Sequence, residues 1–152
     1  MLLRSGYEPA GRHIVICGRS NLVGRPLAAL LSQKNPRANA TVTLCHSGTP
    51  NLSRLTTQAD ILVSAIGSPG FIKPNMVRDG AVVIDVGVTR IDDPGAANGY
   101  RLIGDVDTTS TDEEFATVAD KAAALTPVPG GVGPMTVTML MWNTVTAAER
   151  QL

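Results

Sequence analysis

Apolar residues along this chain fall into short runs separated by stretches in which hydrophobic positions recur three and four apart. His13–Cys17 (HIVIC), Thr41–Cys45 (TVTLC), Ile61–Ile66 (ILVSAI) and Ala81–Val86 (AVVIDV) are rich in β-branched residues and nearly uninterrupted by charge. That is the pattern of strands covered on both faces, because a solvated face would force alternation with polar residues. Between them the spacing predicts a helix over Gly24–Gln33 and a shorter one over Asn51–Thr57, opened by Thr49 and Pro50. A helical turn is expected near Pro74–Val77. Arg101–Val106 is a candidate fifth strand and Ala122–Leu125 a candidate last one. Ser110 and Glu113 have capping-box spacing for a helix running to about Ala119. After a loop over Thr126–Pro134, the apolar positions of Met135–Glu149 predict a long terminal helix.

Alternation of strand and helix implies an α/β, Rossmann-like single domain: a parallel sheet with right-handed crossovers and helices on both faces. Lys34–Ala40 and Asp92–Gly99 are polar, Pro- or Gly-containing surface connections. The first twelve residues stand apart. Met1–Gly6 reads as the tail of a helix and Glu8–Arg12 as the entry to the first strand, a pattern expected of a fragment.

Composition narrows the classes. At 152 residues the chain suits one domain. Thirteen basic residues balance thirteen acidic ones, so no broad positive field draws nucleic acid or an anionic membrane. Aromatics are only 3%, leaving the core to Val, Ile, Leu and Ala. Cys17 and Cys45 lack CxxC spacing and fall inside strands, as reduced core thiols do; no metal site is expected. No run approaches the ~20 apolar residues of a membrane span, and the N-terminus lacks a signal-peptide pattern. A soluble, cytoplasmic domain is the expectation.

Candidate chemistry begins at the turn after the first strand, Gly18-Arg19-Ser20-Asn21-Leu22-Val23-Gly24-Arg25-Pro26. Glycines at a strand-to-helix turn offer backbone N–H groups, close approach and the positive end of a helix to a diphosphate. The pattern departs from GxGxxG, with Ser20 at the second glycine position and one extra residue before Gly24. A tight turn without ligand is the alternative. Arg19 favours the phosphate, since a guanidinium there can pair with it bidentately. The second strand ends Cys45-His46-Ser47-Gly48-Thr49, without the acid that would hold a ribose 2′-hydroxyl. That favours NADP over NAD; otherwise Ser47 and Thr49 are turn and cap residues and His46 a surface histidine. Gly67 and Gly87 each follow a strand, which suits a shared ligand crevice. Asp85 is either a general base or a loop hydrogen-bonding residue. The loop Thr126–Pro134 (TPVPGGVGP) combines stiff prolines with permissive glycines ahead of a helix N-terminus, more special residues than a simple turn requires.

VICGRSNLVGRPLAALL (Val15–Leu31), TLCHSGTPNL (Thr43–Leu52), DGAVVIDVGVTR (Asp79–Arg90), GDVD (Gly104–Asp107) and TPVPGGVGPMTVTML (Thr126–Leu140) together resemble the methylenetetrahydrofolate dehydrogenase/cyclohydrolase family. The motifs stand in family order from the first strand to the last helix. The resemblance implies a C-terminal NAD(P)-binding Rossmann domain over residues 13–152, including the helix 135–149. Residues 1–12 are then the remnant of an interdomain helix and linker, and the N-terminal catalytic domain is lacking.

It further implies a whole enzyme, a homodimer, that oxidises 5,10-methylenetetrahydrofolate with NADP and hydrolyses the methenyl product to 10-formyltetrahydrofolate. By the same resemblance Gly18, Arg19 and Ser20 bind the cofactor's phosphates, Ser47 with Arg19 the 2′-phosphate. Gly87, Val88 and Thr136 lie at the nicotinamide, and Pro129, Gly130 and Gly131 where nicotinamide meets the folate substrate. Gly48 departs from the basic residue frequent in the family, Val88 replaces a frequent isoleucine, and the loop around Asn35–Arg37 is longer. No catalytic residue is expected here: the family's lysine and tyrosine belong to the N-terminal domain. Lys34, Lys73 and Lys121, read as surface residues, match no catalytic position. The isolated chain is therefore expected to be inactive. The alternative is a non-catalytic nucleotide-sensing module. The terminal helix either packs on the missing domain or a second subunit, leaving an apolar face exposed, or completes this domain's own core.

Overall fold

The computed structural model describes residues 1–111 and 116–151. Its elements are β1 (His13–Cys17), α1 (Gly24–Leu31), β2 (Thr41–Cys45), α2 (Leu52–Thr56), β3 (Ile61–Ser64), β4 (Val82–Asp85), β5 (Thr89–Asp92), β6 (Tyr100–Ile103), α3 (Val118–Lys121), β7 (Ala124–Leu125) and α4 (Val132–Glu149). Single 3₁₀ turns occupy Leu2–Ser5 and Pro74–Met76. Five strands form one parallel sheet in the order β2-β1-β3-β4-β7. This is the expected Rossmann-like α/β fold.

Strand periodicity divides the core. On one face Val15, Cys17, Leu62 and Val83 pack with Leu52 and Leu55 of α2, Ile72, Met76, Val77 and Val118 of α3. On the other, Ile14, Ile16, Ile61, Val63 and Val82 meet Leu27, Ala28 and Leu31 of α1, with Leu2 and Tyr7 beside them. Ile14–Ile16 are fully buried because β1 is flanked by β2 and β3 and covered on both faces. Each such side chain contributes about 1.5–3 kcal/mol by leaving water.

Several expectations need correction. Residues 101–106 do not add a strand to the parallel sheet. Tyr100–Ile103 instead pairs antiparallel with Thr89–Asp92 as a separate hairpin. Arg90 stacks over the Tyr100 ring at 3.9 Å, holding the two strands together. Of the expected capping box of Ser110 and Glu113, Glu113 lies outside the described residues; the Ser110 hydroxyl donates to Asp107 at 2.6 Å. The capping box of α3 is Thr117 with Asp120. Thr49 does not open α2; its hydroxyl accepts the His46 N–H, and Asn51 holds the N-cap position. α4 starts at Val132, so Pro134 sits in its first turn, where an absent N–H costs nothing. None of the residues of α4 is buried. The helix does not complete the domain's core, and Leu140, Met141 and Trp142 face outward. No helix among the described residues is long and apolar enough to cross a membrane.

Candidate functional site

Strand register places Cys45, Cys17, Ser64 and Asp85 level across the carboxyl edge of the sheet. The ladder continues one residue further. Gly18 N–H donates to the Cys45 carbonyl (2.9 Å), Ala65 N–H to that of Cys17 (2.8 Å) and Val86 N–H to that of Ser64 (2.8 Å). Beyond this line the chain turns away, so the loops open from one edge, where parallel sheets accept ligands.

The first turn is shaped by close backbone approach. Gly18 has φ +121°, and a Cβ there would stand 2.2 Å from the Ala65 carbonyl oxygen. A Cβ on Gly24 would stand 1.8 Å from the Gly18 oxygen, so turn and helix start touch main chain to main chain. Ser20 ties the loop twice: its hydroxyl accepts the Val23 N–H (3.1 Å) and its carbonyl the Arg25 N–H (3.1 Å). Arg25 is engaged with the Asn21 side chain at 3.0 Å. The Arg19 guanidinium makes no hydrogen bond or ion pair among the described residues and borders a cavity of about 320 Å³. Gly18, Ser20, His46 and Ser47 line the same cavity, and Leu52, Ile66 and Phe71 give it an apolar wall. The donor set and the apolar wall fit a phosphorylated nucleoside.

The turn after β2 is held by its own atoms. Thr49 Oγ1 accepts the His46 N–H (2.9 Å), Thr49 N–H donates to the His46 carbonyl (2.8 Å), and Gly48 N–H donates to His46 Nδ1 (3.1 Å). With Nδ1 accepting, the neutral ring carries its proton on Nε2. His46 is thus more than a surface histidine: it shapes the turn that presents Ser47.

The other expected residues lie on loops of the same edge, except Thr136, which stands in the second turn of α4. Gly87 is buried just past β4, while Val88 is 54% exposed. Pro129, Gly130 and Gly131 lead from β7 into α4, through a cis Val128–Pro129 peptide and a left-handed Gly130 (φ +102°). The Thr136 hydroxyl donates to the Val132 carbonyl at 3.2 Å. Thr136 borders a second groove, of about 790 Å³, with Leu22, Pro26 and Val86. Gly18, Arg19, Ser20 and Ser47 therefore share one cavity; Thr136 lines a different one.

Asp85 is not placed as a base. Its carboxylate accepts three backbone N–H groups, from Gly87 (2.9 Å), Asp105 (3.1 Å) and Val106 (2.9 Å). Burial raises its pKa, and those amides act against the rise. Burial also pushes the Cys17 thiol up to about 12 and raises Cys45, which leaves both inert as nucleophiles. Lys73 binds Asp107 at 2.5 Å. Lys121 is only 18% exposed and faces Asp79 at 3.5 Å, which corrects its reading as a surface residue. Leu52, Ile66 and Phe71 were missed from sequence; the one available signal was the scarcity of aromatics, with only two Phe in the chain.

A family model described as tetrahydrofolate dehydrogenase/cyclohydrolase, NAD(P)-binding domain, matches residues 1–152. The bifunctional protein FolD of Dehalococcoides mccartyi (strain ATCC BAA-2266 / KCTC 15142 / 195) is 60% identical over 151 residues, covering 99% of this chain and 48% of the relative. That of Chlorobium chlorochromatii (strain CaD3) is 55% identical over 150 residues, with the same shares. Among solved structures, the Trypanosoma brucei methylenetetrahydrofolate dehydrogenase-cyclohydrolase, complexed with NADP cofactor and inhibitor, superposes with a TM-score of 0.84 at 43% identity, over 99% of this chain and 48% of that one. The Campylobacter jejuni bifunctional enzyme gives 0.83 at 41% identity, over the same shares. The chain spans about half the length of the curated relatives it matches. A parallel sheet with a nucleotide-sized cavity at its carboxyl edge and a match along its whole length agree: the chain belongs to the tetrahydrofolate dehydrogenase/cyclohydrolase family, as its NAD(P)-binding domain.

Proposed function

We propose that this chain is the NADP-binding half of an enzyme that oxidises 5,10-methylenetetrahydrofolate to the 5,10-methenyl form and hydrolyses that to 10-formyltetrahydrofolate. The observation that carries the reading is the cavity lined by Arg19, which makes no hydrogen bond or ion pair among the described residues, and by Ser47, with no carboxylate at the end of β2. A guanidinium and a hydroxyl hold a 2′-phosphate there, where an acid would repel it. Gly18 and Ser20 hold the diphosphate. Gly87 and Val88 present main chain to the carboxamide, with Thr136 beside the nicotinamide. When bound, NADP accepts a hydride. Pro129, Gly130 and Gly131 line the junction with the folate, which the other half of the enzyme completes; the whole enzyme is a homodimer.

Acid-base groups for both steps come from outside this chain. Asp85 is spent on backbone amides and Lys73 on Asp107, so neither reaches a substrate with a free proton-transfer site. A nucleotide-sensing module would use the same cavity, but 60% identity to a bifunctional enzyme favours the enzyme half. Calorimetric titration of the chain with NADP and with NAD tests the assignment. NADP should bind more tightly; equal affinities would remove the 2′-phosphate site. Mixed with methylenetetrahydrofolate and NADP, the chain alone should show no growth of the reduced-nicotinamide absorbance band beyond the rate without protein.

A further inference from the structure

The carboxyl end of β4 carries two interlocked buried carboxylates. Asp85 is 3% exposed: its Oδ1 accepts the N–H groups of Gly87 and Asp105, its Oδ2 that of Val106. Asp105, fully buried, grips the end of β3. Its Oδ2 accepts from Ser64 Oγ (3.1 Å), Ile66 N–H (2.8 Å) and Gly67 N–H (3.2 Å), and its Oδ1 from Ser68 N–H (2.9 Å). The fit leaves no slack. A Cβ on Gly87 would lie 2.2 Å from Asp105 Oδ1, and one on Gly104 2.0 Å from Asp85 Oδ2. Burying two like charges is costly, and the strand ladders of β3 and β4 are already satisfied without them. What the carboxylates add is fixed main chain just past the strand ends.

We infer that Asp85, braced by Asp105, is a positioning residue for the nicotinamide half of the cofactor, setting the Gly87–Val88 main chain before any nucleotide arrives. The inference rests on the reading above that Gly87 and Val88 meet the nicotinamide. A preformed edge spares the ordering cost that a mobile loop would impose on binding. The adenosine half depends on Arg19, Ser47 and the turn after β2, none of which bonds to Asp85.

This separation sets the test. Asp85→Asn puts an amide NH₂ against at least one backbone N–H and loses the charge. Calorimetry should show NADP binding weakened about tenfold, while 2′,5′-ADP, which carries only the adenosine half, changes less than about twofold. In the unaltered chain, amide exchange at Gly87 and Val106 should already be slow without nucleotide; this measurement stands even if the variant fails to fold. Equal losses for both ligands, no loss for either, or slow exchange appearing only after NADP is added would each overturn the inference. If the unaltered chain binds neither ligand, the functional reading falls and takes this inference with it. If it binds both and only the split is missing, the positioning role alone falls.

Discussion

Replacing Arg19 with alanine probes the cavity at its charged wall. The side chain is exposed and makes no hydrogen bond or ion pair among the described residues, so its loss should leave the melting temperature unchanged. A hydrogen bond to a charged group contributes about 1.5–3 kcal/mol where water is excluded. Solvent at this open site screens the pair and takes the value just below that range, to about 1.4 kcal/mol or tenfold in affinity. NADP should therefore weaken about tenfold in Arg19→Ala, and NAD, which lacks the 2′-phosphate, about twofold or less. The contrast between the two cofactors is the informative quantity, because any diphosphate contribution of Arg19 is common to both. Isothermal titration at low and high potassium chloride adds a check. The NADP preference of the unaltered chain should shrink as salt rises, and the smaller preference of the variant should shrink less. Equal losses for NADP and NAD would refute a 2′-phosphate role for Arg19, and a large drop in melting temperature would show that it supports the fold instead.

Gly24→Ala forces a Cβ to 1.8 Å from the Gly18 carbonyl oxygen, which only main-chain movement can relieve. A loss of about 3 kcal/mol in urea unfolding is expected, with nucleotide binding lost as well; a variant as stable as the parent would show that the turn yields. Lys73→Met removes the partner of Asp107. Burial alone would raise that carboxyl, but the Lys73 ammonium and the Ser110 hydroxyl outweigh it and hold it far below its ordinary range. Because the folded value is depressed, the stabilisation is full above the unfolded pKa of about 4 and fades as pH falls through the folded one. Lys73 is half exposed, so the variant should lose only about 1 kcal/mol at neutral pH, and a gap that widened on acidification would contradict the sign. Trp142, the sole tryptophan, is 66% exposed on a helix with no buried residue. Its fluorescence should report local loosening of α4 at lower urea than the main far-ultraviolet transition; coincident curves would mean that α4 unfolds with the core.

The strands of the parallel sheet were legible because burial on both faces leaves a continuous apolar run. HIVIC and TVTLC matched β1 and β2 to the residue. Ile61–Ile66 and Ala81–Val86 ran past the observed ends because Ala65, Ile66, Ala81 and Val86, still apolar, flank the strands in the adjoining loops. The hairpin was not legible. Thr89–Asp92 alternates half-buried and exposed positions over only four residues, and its pairing with Tyr100–Ile103 excludes both from the main sheet. At the site, glycines and Arg19 pointed to a phosphate turn, and the structure sets Gly18 and Arg19 on the wall of one cavity. Phe71 and Leu52 gave no such signal: an apolar wall of a cavity and an apolar core position look alike in one dimension. Asp85 was ambiguous for a related reason. A carboxylate at a strand end reads the same whether it waits for a proton or for three backbone amides.

Among the described residues, the bonds that shape the turn between β2 and α2 run among His46, Gly48 and Thr49. It is a self-contained cassette, and none of these bonds reaches the glycine turn beside it. Ser47 is exposed within that cassette, so an acid placed there should leave the strand ladder and the glycine turn undisturbed. If Arg19 and Ser47 hold the 2′-phosphate as proposed, changing coenzyme preference takes an edit to each of two small surface turns, with the chassis left as it is.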